Sequence, residues 1–159
     1  MINRTQWPRA LSAISTEELL TITGNLTKDW KVRPKSIPQA GLGMLKLNDS
    51  AFEEPFYLGE FPLASVWLEI QMPNGQVAEG AAQIMDDRLD LAEALALCDA
   101  IMSAQLPGWE IVAEKVDQGI SICEEISRKR KKMLASTQVD FSLLDDVTKD
   151  YTEGDNVET

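Results

Sequence analysis

Between Ala64 and Ala104 the chain reads as strand, turn, strand and helix, a succession that commits it to an antiparallel hairpin with a helix following it. Val66, Leu68 and Ile70 alternate with Trp67 and Glu69, the period-two pattern of a strand with one buried face. Met72-Pro73-Asn74-Gly75 interrupts the pattern, and Gln76 to Met85 resumes it. Asn74-Gly75 suits a type I′ turn, in which both central residues take positive φ. Pro73, lacking an amide donor, argues instead for a longer loop. Arg88 to Ala104 then reads as a helix in which Asp99 is the one polar residue from Ala94 to Met102. A surface helix shows a broad polar face. This one hardly does, so it is expected to be covered on more than one side, by its own sheet and by another chain.

The flanking segments have their own signals. Trp7, Leu11 and Ile14 share one helical face in Arg4 to Ile14, and Pro8 requires that helix to start near Gln6 or Trp7. Ser15-Thr16-Glu17-Glu18 has the capping-box pattern and opens a short helix with Leu19, Leu20 and Ile22, expected to stop at Gly24-Asn25. Pro34 and Pro38 bracket an extended connection. Gly41 to Leu47 alternates in part and reads as a strand, Asn48 to Pro55 as a polar loop. Phe56 to Glu60 is a short strand, or the start of a longer one broken by Pro62. Trp109 to Leu134 forms a long helix with Val112, Val116, Ile120 and Cys123 on one stripe, closed by the basic run Arg128 to Lys132. At the end of a helix such a run complements the dipole, and its alternative use is contact with a nucleotide triphosphate or an acidic patch. The expected fold is α+β: N-terminal helices, an antiparallel sheet with the hairpin at Asn74-Gly75, and two long C-terminal helices. One domain is expected over residues 1–144, followed by an acidic, flexible tail over 145–159.

Composition narrows the function classes. The 159 residues carry a formal charge of −11, which argues against duplex DNA or anionic lipid as the main partner. From Asp145 to Thr159 six acids face the single base Lys149, a solvated pattern. No apolar run is long enough to span a bilayer, and the first residues lack an apolar signal core, so a cytoplasmic location is expected. Cys98 and Cys123 lie in apolar helical patterns and are expected as free thiols. The chain has no histidine. General acid–base work would fall to carboxylates, yet the neighbouring pairs Glu17-Glu18, Glu53-Glu54, Asp86-Asp87, Glu124-Glu125 and Asp145-Asp146 point apart in any regular element. Two isolated cysteines supply no zinc or iron–sulfur ligand set. Gly41-Leu42-Gly43 lacks the further glycine and lysine of a phosphate loop and reads as strand geometry, a bulge for example. No catalytic, cofactor-binding or metal-binding residue is therefore assigned.

The order of these segments resembles the PhnG family, a small subunit of the bacterial carbon–phosphorus lyase core complex. Arg4, Trp7, Leu11, Glu18 and Leu19 match its opening helices. Pro38, Gly41, Leu42 and Met44 match its Pro-x-x-Gly-Leu segment, and Phe56, Gly59 and Glu60 its Phe-x-x-Gly-Glu strand. Ala92-Glu93 and Asp99-Ala100 fall on the pairs of its central helix, and Val139, Asp140 and Phe141 on its closing segment. Asp86-Asp87-Arg88 departs from the family's Gly-Arg-Asp, and Asn74 replaces the acid of its Asp-Gly hairpin.

The resemblance implies a non-catalytic or accessory subunit of a multi-subunit phosphonate ribosyl triphosphate synthase, a transferase. Its partners would be PhnI, PhnH and PhnJ, with PhnL acting alongside. ATP would be the substrate of the complex, its adenine displaced by methylphosphonate to give ribose 1-methylphosphonate 5-triphosphate. The nucleosidase-type chemistry goes with PhnI and the radical cleavage with PhnJ. The expected contact residues are Asp99 and Ala100 of the central helix, Asn74 and Gly75 of the hairpin, and Val139 and Phe141 of the closing segment. Asp99 qualifies because a lone acid among apolar residues needs a partner once buried, on a nearby loop or across an interface. Two alternatives stay open: a stand-alone homo-oligomeric binding protein, and a carboxylate-dependent enzyme acting alone on a phosphorylated sugar.

Overall fold

The computed structural model describes residues 3–136, and one strand organises most of them. That strand is β3, Pro55–Gln71, 17 residues long. It passes straight through Pro62, where the sequence suggests a break. Proline is tolerated where no ladder bond asks for its amide, and β4 (Val77–Ile84) ends opposite Ala64, short of Pro62. On the opposite edge of β3 lie two strands end to end, β1 (Lys31–Pro34) against Leu68 to Gln71 and β2 (Gln39–Asn48) against Pro55 to Ser65. All pairings are antiparallel. The stretch between Pro34 and Pro38, expected as a mere connection, thus begins in the sheet, and Lys35 extends the register by donating its N–H to the Trp67 carbonyl at 2.9 Å.

The hairpin joining β3 and β4 is not the two-residue I′ turn. Gly75 has φ +86, and Asn74 is not among the residues with positive φ. Gly75 N–H bonds the Met72 carbonyl at 3.0 Å, Met72 N–H bonds the Gln76 carbonyl at 2.9 Å, and the loop is Pro73-Asn74-Gly75. Pro73 suits the first corner of such a three-residue loop, and glycine at its end takes the left-handed conformation at no steric cost.

One helix covers a face of the sheet, and the first two helices pack on it in turn. After a 3₁₀ turn at Arg4–Gln6, α1 spans Trp7–Leu11 and α2 Thr16–Leu26, passing through Gly24-Asn25 before it ends. Ser15 caps α2 by accepting the Glu18 N–H at 3.2 Å, while the Glu18 carboxylate pairs with Lys115 at 2.6 Å. The central helix, α3, is Leu89–Ser103. Ala64, Val66, Leu68 and Ile70 of β3, with Ala78 and Ala82 of β4, are buried on the α3 side. Gly80 lets the helix approach closely: a Cβ there would stand 2.0 Å from the Ala96 carbonyl oxygen. The other side of α3 is covered by α2 and α1 of the same chain. The near absence of a polar face, which by itself suggests a partner chain, is thus explained within the fold. The last helix, α4, is Trp109–Ser136. Val112 and Val116 join the core, and Gly119 brings α4 against α1, where a Cβ would stand 2.0 Å from the Ala10 carbonyl oxygen.

Contacts group Met1–Cys123 as one unit and the residues from Glu124 as a second. Through Ser136 the second unit continues α4, with Glu125 and Lys129 paired at 2.8 Å one turn apart. The expected boundary at 144/145 lies outside the described residues.

Candidate functional site

Asp99 finds its partners inside the chain. Arg4 donates through Nε at 2.8 Å and Nη2 at 2.6 Å, a two-pronged pair, and the Ala81 N–H reaches the same carboxylate at 3.1 Å. Asp99 raises the Arg4 pKa, first by hydrogen bonding and then by its charge. Because β4, among the described residues, pairs with β3 alone, this carboxylate sits on an amide of an edge strand. The neighbouring Ala100 is fully buried where α3 meets Gly80. Asn74 and Gly75 are exposed at the hairpin tip, with the Asn74 side chain accepting the Gln76 N–H at 2.9 Å. Val139 and Phe141 lie outside the described residues.

The departure at Asp86-Asp87-Arg88 has a local structure of its own. Arg88 grips Asp86 through Nε at 2.9 Å and Nη2 at 2.6 Å, and a third guanidinium nitrogen donates to Thr16 Oγ1 at 2.9 Å. The guanidinium and the Arg88 amide hold the Asp86 carboxyl down at about 2. The basic run Arg128 to Lys132 is exposed, and it is not at the helix end as expected. The helix runs on to Ser136, with no base in the last turn. Since a dipole acts within that turn, complementing it does not account for the run.

Nothing among the described residues groups carboxylates or cysteines as a metal site. Cys98 and Cys123 are free thiols. Burial, aided by the charge of Asp99, pushes the Cys98 thiol up to about 12, so it stays protonated and inert. On the outer face of the sheet Glu79 takes Lys35 at 2.6 Å and the Trp67 indole N–H at 3.2 Å, and the Lys35 ammonium sits 5.1 Å from the Trp67 ring centre. These contacts lower the Glu79 pKa and raise that of Lys35. They tie β1, β3 and β4 together on a solvated surface and gather no reactive group.

The surface that stands out is not among the contact residues expected from the sequence. Beyond the end of β4, the outer half of β2 and the first half of β3 continue as a two-stranded arm. Its tip turns at Asp49 to Glu54, where the Asp49 N–H meets the Glu54 carbonyl at 2.9 Å. Leu42 is 68%, Met44 59% and Tyr57 61% exposed, whereas Val66, Leu68 and Ile70 further along the same sheet are 3%, 2% and 0%. On the other face the Phe61 ring lies over Gly43, in the space that a Cβ there would take. Leu45, Leu47 and Phe56 are partly bare as well. Two strands alone are marginal in water, and an apolar patch of this extent marks an interaction surface. One signal for it is present in the sequence. Leu42, Met44, Leu45 and Leu47 place apolar residues on both faces of a strand, which a one-sided sheet does not require.

A family model described as phosphonate metabolism protein PhnG matches residues 2–145. No curated protein matches the chain. The family match spans both the core and the arm. Among the described residues no helix is long and apolar enough to cross a membrane.

Proposed function

Since the chain belongs to the PhnG family of phosphonate metabolism proteins, we propose that it serves as an accessory subunit of a carbon–phosphorus lyase core. In that role it holds or shapes a PhnI-type catalytic subunit, within an assembly that includes PhnH- and PhnJ-type chains and works with a PhnL-type protein. The reaction of the assembly is displacement of adenine from ATP by methylphosphonate, giving ribose 1-methylphosphonate 5-triphosphate. This chain contributes surface to it and no reacting group.

The observation that carries the reading is the bare arm. A polypeptide that leaves Leu42, Met44 and Tyr57 in water on one flank of an otherwise buried sheet is built to be covered. The dispersed chemistry agrees. Asp99 and Asp86, each gripped by an arginine, satisfy structural pairings. The exposed hairpin tip at Asn74-Gly75 is a second candidate contact, and Val139 and Phe141 of the closing segment a third.

Co-expression with the PhnI-type subunit, followed by native mass spectrometry, tests the reading. A stable hetero-oligomer is the expected result. If neither that pair nor the four subunits expressed together yield a complex containing this chain, the subunit role is wrong.

A further inference from the structure

The geometry points to a specific occupant for the arm: an amphipathic helix of a different chain, flanked by basic residues, seated over Leu42, Met44 and Tyr57. The inference rests on the subunit reading above and adds which surface docks and what chemistry it takes.

Strand alternation identifies the face. Ala64, Val66, Leu68 and Ile70 point toward α3, so two-residue periodicity carries that face on to Pro62 and Glu60. Their register partners are Leu42 and Met44. At Leu58 the register slips, passing from the pair Leu45–Gly59 to the pair Lys46–Tyr57. This bulge returns Tyr57 to the face of Lys46, Met44 and Leu42. The bare residues therefore continue the plane that α3 covers elsewhere.

The β3 edge of the arm is poorly suited to strand addition; the outer edge of β2 is also unpaired among the described residues, but the bare apolar side chains Leu42, Met44 and Tyr57 lie on the face. Trp67 directs its carbonyl to Lys35 on the β1 side. By alternation Glu60 and Pro62 direct their backbone groups to the opposite edge, the one β4 leaves open. Pro62 offers no N–H there, and proline on an edge is a block to pairing. Length favours a helix. Gly41 to Asn48 extends about 26 Å at 3.3 Å per residue, which a helix of about 17 residues covers. The body meets the same need with the 15 residues of α3.

Charge selects a foreign, basic partner. The arm holds Asp49, Glu53, Glu54 and Glu60 against Lys46, in a chain of net charge −11. A second copy would bring like charges together, and so would the acidic C-terminal residues of this chain. Glu60 lies on the docking face and has no ion-pair partner among the described residues. A lysine or arginine flanking the apolar stripe of the incoming helix would supply one.

The test co-expresses the full chain with the PhnI-, PhnH- and PhnJ-type subunits and compares three versions. These are the wild type, the double variant Leu42→Glu with Met44→Glu, and Ile111→Glu as an exposed control on α4. Recovery of the assembly is expected to fall at least tenfold with the double variant and to persist with the control, while both chains alone unfold at the wild-type temperature. Assembly undiminished in the double variant overturns the arm proposal and leaves the subunit reading intact. No assembly with the wild type overturns both. A wild-type chain that is already a tight homodimer at 150 mM salt, dissociated by the double variant, assigns the arm to self-association and overturns the foreign partner. Glu60→Lys is expected to weaken assembly and flatten its salt dependence; an unchanged salt dependence removes the basic flank from the proposal.

Discussion

At Asp99 the local chemistry is complete enough to set a magnitude. The carboxylate takes both prongs of Arg4 and the Ala81 amide, but Arg4 is largely exposed, and exposed ion pairs contribute little. Asp99→Ala is expected to destabilise the chain by about 1–2 kcal/mol. Asp99→Asn, which keeps an acceptor for Ala81, is expected to cost less than half as much, with urea midpoints as the readout. A larger loss in Asn than in Ala would contradict this account. Cys98 gives a pH dependence of definite sign. Its folded pKa is raised to about 12 from 9.0, so the folded state holds a proton that the unfolded chain gives up first. Its contribution to stability is complete below about pH 9 and is lost as pH rises toward 12. Melting temperatures of wild type and Cys98→Ala, followed from pH 8 to 11, should converge as pH rises. In native protein a thiol reagent should modify Cys123 and spare Cys98.

Among elements, those with clean local periodicity are legible in the sequence alone. The β3 alternation from Val66 to Ile70, the Ser15 cap and the extents of α3 and α4 are all readable from neighbours a few residues apart. What escapes is set by contacts distant in sequence. Pro62 reads as a break because sequence does not show which edge of a strand is open. The missing polar face of α3 points to a foreign chain until α1 and α2 are found packed against it. The arm escapes for the same reason: periodicity marks an apolar face without saying what covers it. Gly80 is a sharper case, since only the fold presses α3 onto it. Gly80→Ala must move α3 off the sheet and is expected to cost about 1–3 kcal/mol, more than Gly59→Ala, where an added Cβ meets nothing within 4 Å. Equal midpoints for the two variants would show that α3 does not rest on Gly80.

For the molecule as a whole, the distribution of burial separates what folds the body from what the arm is for. The buried residues run from Trp7 to Thr23 and from Ala64 to Gly119, and between them β1 adds the half-buried Val32 against the core while β2 adds none. The body should therefore fold without its arm. Gly41 and Leu63 face each other in the register, so an Asn-Gly pair in place of Leu42 to Pro62 closes the ladder with a two-residue turn. The arm contributes strand hydrogen bonds and some Phe61 contact, while its removal takes bare apolar surface out of water and shortens a loop, changes of opposite sign. The shortened chain is expected to unfold cooperatively within about 5 °C of the full chain, a span corresponding to roughly 1.5 kcal/mol for a domain of this size. It should also be more soluble near its isoelectric point and absent from the co-expressed assembly. Thermal unfolding by circular dichroism, with far-ultraviolet spectra at both ends of the melt, decides the matter. A shortened chain that never folds would mean that the arm organises the sheet from within, and its exposed leucines would then be a by-product of folding. A shortened chain that folds and still assembles would move the contact to the hairpin tip or the helices. Folding retained with assembly lost is the result that a detachable docking arm requires.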